Sequence, residues 1–112
     1  MLVKMAAPIQ ILKGLKVTKV EIVHDYVQLA FGDEIGISVY NEMDISPKIP
    51  LERLVSKTVI SVKESVNSID IDFADGIKLT IDMRPQAYQG PEAIELNRVG
   101  FPPVIWKFAY PS

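Results

Sequence analysis

From Ser68 to Asp82 apolar and polar residues alternate. Ile69, Ile71 and Phe73 are separated by Asp70 and Asp72, and after Ala74-Asp75-Gly76 the order resumes as Ile77, Leu79 and Ile81 interleaved with Lys78, Thr80 and Asp82. Strict alternation places one set of side chains on each face of a strand, so the segment predicts a half-buried β-hairpin. A two-residue Asp75-Gly76 loop would set the Phe73 ring opposite Lys78. A three-residue loop instead pairs Phe73 with Ile77, Ile71 with Leu79 and Ile69 with Ile81, and it leaves Gly76 where a left-handed backbone is wanted.

The same pattern occurs earlier at a constant offset of 42, without a gap. Residues 8–39 lie over residues 50–81, superposing Pro8 on Pro50, Leu12 on Leu54, Val17 on Val59, Val20 on Val62, Phe31 on Phe73 and Asp33 on Asp75. The first copy then pairs Phe31 with Ile35, Leu29 with Ile37 and Val27 with Val39 around Gly32-Asp33-Glu34, with Glu34 at the position of Gly76. A non-glycine there predicts a remodelled or strained turn. What recurs is the apolar positions, so each copy is a unit that needs the other to cover its core face.

Extended, β-branched segments precede each hairpin, Val17 to His24 and Val59 to Ser65, giving each repeat three antiparallel strands. The lead-ins Pro8 to Lys13 and Pro50 to Val55 open on proline and predict single helical turns. Asn41 to Pro50 holds Ser46-Pro47 and Ile49-Pro50 and predicts an extended connector outside any central strand. Arg84 to Gly90 is turn-like, and Ala93 to Asn97 fits either helix or strand. Pro102-Pro103 predicts a break, followed by a strand over Val104 to Ala109 with Trp106 and Phe108 on one face. The expected fold is all-β with minor helix, two three-strand meanders in a single domain (residues 1–112) forming a small sandwich or a partly open barrel.

At 112 residues with 48% apolar and 23% charged content, the chain has the make-up of one globular domain. It has no long uncharged apolar run, and Met1 to Ala7 is too short an apolar stretch for a signal peptide, so a cytosolic location without membrane contact is expected. The lack of cysteine removes disulfides and thiolate chemistry. The net charge of −2 conceals a segregation. Residues 1–20 carry four lysines and no acid, whereas residues 21–46 carry Glu21, Asp25, Asp33, Glu34, Glu42 and Asp44 and no Lys or Arg. With a pI near 5.3, a nucleic-acid partner is not expected, and an acidic face suits a basic protein.

Candidate chemistry is sparse. His24-Asp25-Tyr26 brings together an imidazole, a carboxylate and a phenol, but neighbours in a strand point to opposite faces, and a hairpin turn accounts for His24 and Asp25. One His and no Cys leave little for a transition-metal site. Asp70-Ile-Asp-Phe-Ala-Asp-Gly resembles a calcium loop only in part, since the third acid is one residue late and Asp82 stands where the bidentate Glu belongs. Gly90-Pro-Glu-Ala lacks the glycine spacing and Lys of a phosphate loop. No cofactor, metal or catalytic residue is therefore expected. Asp70, Asp72 and Asp82 share the outward face of the second hairpin, with Lys78 as the expected cross-strand partner and Asp75 at the tip; they are expected to stand exposed, either protecting the sheet or forming a docking surface.

The string Val59-Ile-Ser-Val-Lys-Glu, the hairpin Ile69 to Ile81, Arg84-Pro-Gln-Ala-Tyr-Gln-Gly-Pro-Glu-Ala and Ile105-Trp106 together resemble a group of small bacterial β-proteins. Several of those are similar to immunity proteins encoded beside polymorphic or contact-dependent growth-inhibition toxins. The resemblance implies a cytosolic protein with no reaction of its own that binds and blocks a toxin domain, frequently a basic nuclease. On that reading the partner surface comprises Asp33, Glu34, Glu42, Asp44, Asp70, Asp72, Asp75 and Asp82, and homo-oligomers are possible. A second expectation is a small-molecule pocket between the repeats near Tyr88, Trp106 and Tyr110.

Overall fold

The structure, a computed structural model, describes residues 8–108. Two short 3-10 helices, η1 (Pro8–Leu12) and η2 (Leu51–Leu54), open the two repeats, as their prolines predict. Each is followed by three antiparallel strands: β1 (Lys19–Val23), β2 (Tyr26–Phe31) and β3 (Ile35–Val39), then β5 (Val59–Glu64), β6 (Ser68–Phe73) and β7 (Ile77–Asp82). Both hairpin registers are those expected from the alternation, with Phe31 opposite Ile35 and Phe73 opposite Ile77. The second loop places Asp75 and Gly76 at φ of 68° and 74°. The first is remodelled: Gly32, not Glu34, takes the left-handed conformation, at φ 81°.

The apolar faces of the two meanders meet in one core. Leu12, Val17, Leu29, Ile37 and Val39 are buried with their counterparts Leu54, Val59, Ile71, Leu79 and Ile81, and Phe31 and Phe73 lie beside them. Of the residues expected in this core, only Ile35 is half-buried, packed at its margin. The sheets do not close into a barrel; they form a sandwich of five strands (β1-β2-β3-β8-β9) and four (β4-β7-β6-β5).

Each sheet contains a strand donated by the other repeat. The connector expected over Asn41 to Pro50 contains a strand, β4 (Met43–Ser46), that leaves the first meander and pairs with β7 at the sheet edge; Pro47 directly after it, which cannot donate to a ladder, ends it there. The ambiguous segment after the second repeat is β8 (Glu92–Arg98), which pairs with β3 in the other sheet. Met43 faces Ile81 as Ile94 faces Val39, so β4 and β8 are equivalent, but their offset is 51, not 42. An insertion of nine residues in the second repeat, which includes a 3-10 turn at Pro85–Ala87, accounts for the difference. The expected break at Pro102-Pro103 does not occur: β9 (Phe101–Lys107) runs through both prolines, because it is an edge strand with an irregular ladder at that point. Ala109 and Tyr110 lie outside the described residues.

The helices are exchanged as well, η1 packing against β5 and η2 against β1. Between them the Gly14 N–H donates to Val59 O (2.8 Å) and the Ser56 N–H to Val17 O (2.7 Å), while the Val59 N–H reaches Leu15 O (2.8 Å) and the Val17 N–H reaches Lys57 O (3.0 Å). Each bond is the image of another at the repeat offset. No helix among the described residues is long and apolar enough to cross a membrane.

Candidate functional site

The acids of the second hairpin lie on the outer face of the four-strand sheet, but they do not stand free. Asp70, Asp72 and Asp82 are half-buried, where exposure was expected, because their neighbours on the pleated face fold over them. Asp72 accepts from Ser61 Oγ at 3.0 Å and has Lys78 Nζ at 4.0 Å. Asp82 is clamped by Arg84, whose Nε and terminal nitrogen donate to its two oxygens at 3.0 and 2.6 Å and whose backbone N–H adds a bond of 2.9 Å. Those bonds hold the Asp82 carboxyl well below the usual carboxylate range, at about 2. Asp75 is paired with Lys57 and Asp44 with Lys48. Asp70 faces Lys63 and Thr80 across the strands, and its Oδ1 is buried without a hydrogen-bond partner among the described residues.

Asp33, Glu34 and Glu42 are exposed and make no ion pair among the described residues. Asp33 and Glu34 occupy the tip of the β2–β3 hairpin beside Arg98 and Phe101, whereas Glu42 lines a cleft over the four-strand sheet together with Asp44, Ser68, Asp82 and Arg84. The eight acids are thus split between different faces and loops.

A second cleft, of about 230 Å³, lies on the outer face of the five-strand sheet. Tyr26 at the start of β2 and Tyr40 just after β3 sit at the same end of paired strands, and their ring centroids are 5.1 Å apart. The Tyr40 hydroxyl donates to Glu95 Oε2 on β8 at 3.2 Å. Asp25 and Glu92 line the cleft, with Gln89, Gly90 and Pro91 forming one wall. Desolvation, followed by the bond to Glu95 and the negative charge of that carboxylate, raises the Tyr40 phenol above its ordinary pKa. Asp25 and Tyr26 stand out in the sequence only beside His24; Tyr40, at the matching outward position of the paired strand, was the usable signal of this cleft.

His24 and Asp25 form the two-residue turn between β1 and β2; both are exposed, with His24 at φ 49°. Of the aromatic residues expected around a pocket, Tyr88 packs edge-on against Phe108 with centroids 5.2 Å apart, and the Trp106 indole N–H donates to Glu64 Oε2 at 3.1 Å. No group of three or more His, Cys, Asp or Glu residues able to hold a metal ion occurs among the described residues. Comparison with protein-family models, curated proteins and solved structures finds no match.

Proposed function

We propose that this protein is an immunity-type binding module that neutralises a basic protein domain, such as a toxin nuclease, by covering it with an acidic surface and catalysing nothing itself. One observation carries this reading: every acid of the cation-free stretch from residue 21 to 46, namely Glu21, Asp25, Asp33, Glu34, Glu42 and Asp44, is exposed. Lys19 and Lys48 reach back to Glu21 and Asp44, and Asp25, Asp33, Glu34 and Glu42 keep their charge uncompensated within 4 Å among the described residues. Such a field accelerates encounter with a cationic partner and repels acidic ones. Asp72, Asp75 and Asp82 of the second hairpin contribute less, because Lys78, Lys57 and Arg84 neutralise them.

The test is co-expression with the toxin-like domain encoded by the neighbouring gene. The reading predicts rescue of cell growth and a purified complex whose affinity falls steeply as salt rises. A toxin-like domain that is not basic, or growth inhibition that persists despite soluble expression of this protein, would overturn it.

A further inference from the structure

The two clefts, on opposite sheets, share three lining positions under the internal repeat. At the offset of 42, Tyr26 corresponds to Ser68, Tyr40 to Asp82 and Asp25 to Asn67. Across the exchanged strands Glu95 faces Ser38 as Asp44 faces Thr80, so Glu95 and Asp44 are equivalent carboxylates. In the four-strand cleft the chain supplies its own cations: the Arg84 guanidinium lies bidentate on Asp82, the counterpart of Tyr40, and Lys48 sits on Asp44, the counterpart of Glu95. Arg84 belongs to the nine-residue insertion, whose far end supplies the wall of the other cleft.

In the five-strand cleft Asp25 and Glu92 line the walls with the two tyrosine rings, Glu95 accepts from the Tyr40 hydroxyl, and no Lys or Arg of the described residues lies within 4 Å of these three carboxylates. Lys107 faces Glu92 in the strand register without forming an ion pair. Aromatic faces beside carboxylates attract a weakly hydrated cation, and guanidinium stacks on tyrosine while its N–H groups bond carboxylate oxygens.

We infer that the Tyr26–Tyr40 cleft receives an arginine side chain from a protein partner. Glu95, held by the Tyr40 hydroxyl, accepts the guanidinium N–H groups; Tyr26 and Tyr40 supply the stacking surface; Asp25 and Glu92 set the charge. The inference takes the protein nature of the partner from the proposed function, whereas the cleft's preference for guanidinium stands on the paired tyrosine rings beside carboxylates that no cation of the described residues neutralises.

The experiment titrates isotope-labelled protein with hexa-arginine, and in parallel with hexa-citrulline, at about 0.15 M salt. The expected result is saturable shifts of the Tyr26 and Tyr40 ring resonances and the Glu92–Glu95 amides with hexa-arginine alone. Glu95→Gln and, separately, Tyr26→Leu should each weaken binding by about three- to tenfold. Equal shifts with hexa-citrulline, shifts spread evenly over both sheets, or unchanged affinity in both folded variants would overturn it. The titration uses no natural partner. Its failure would therefore leave the basic-partner reading standing on another face, and failure to find a basic partner would not alter its outcome.

Discussion

Lys16 and Thr58, which occupy the same position in the two repeats, pair with one another in an antiparallel bridge, so the pseudo-two-fold axis passes between them. Around this bridge the chain exchanges its 3-10 helices, and beyond the meanders it exchanges β4 and β8. Each repeat therefore completes the other's core. The residues next to the axis meet the same backbone demand twice but with different side chains: Gly14 stands at φ 86° and its counterpart Ser56 at φ 76°.

A left-handed backbone is free for glycine and costs an ordinary residue about 1–2 kcal/mol. Ser56→Gly is expected to stabilise the protein by up to about 1 kcal/mol, and Gly14→Ala to destabilise it by about 1–2 kcal/mol. No heavy atom lies within 4 Å of a Cβ added at Gly14, so the second change measures backbone strain without a steric clash. Urea unfolding of both variants checks the pair; equal and opposite insensitivity would mean that the two turns do not share one conformation.

Phe73 closes the core at the loop end of the second hairpin and is 3% exposed. Phe73→Ala removes a buried ring and should cost about 3–5 kcal/mol. A loss below about 1 kcal/mol in chemical denaturation would place the ring in solvent and shift the β6–β7 register by one residue.

The Asp82–Arg84 clamp makes a pH prediction. The folded carboxyl titrates at about 2, below its unfolded value of 3.8, so the clamp contributes stability above pH 4, and that contribution is lost as pH falls from there through about 2. Carboxyl-carbon NMR should give a midpoint near 2 for Asp82, and Arg84→Met should move it up toward the ordinary carboxylate range. An Asp82 midpoint that is the same in both proteins would show that Arg84 does not hold it.

Much of the fold was legible in the chain because alternation and the 42-residue offset both report burial, which is local and periodic. The hairpin registers, the proline-led turns and the core followed from it. The strand exchange was not legible: β4 has only four residues beside prolines, and the nine-residue insertion breaks the offset just where β8 would have revealed its match to β4. The tolerance of Pro102-Pro103 depends on β9 lying at an edge, a tertiary fact. Lys78 was legible as a cross-strand partner and stands 4.0 Å from Asp72, whereas the Lys57–Asp75 pair and the Ser61 bond to Asp72 join segments that only the fold brings together. The tyrosine cleft needs separate segments brought together, and only Tyr26 and Tyr40, at outward positions of the first hairpin, carried a sign of it.

The most direct test of the proposed acidic docking surface measures association kinetics with a basic partner domain identified by pull-down or from an adjacent gene. Wild type is compared with an Asp33→Lys, Glu34→Lys, Glu42→Lys triple variant and with an Asp72→Asn, Asp75→Asn control, each across a salt series. The triple variant should stay folded, because these three acids are exposed and unpaired among the described residues. Its on-rate should fall by about tenfold or more at low salt with a flattened salt dependence, while the control, which alters neutralised acids, stays within about twofold of wild type. An unchanged on-rate in the triple variant would contradict the account.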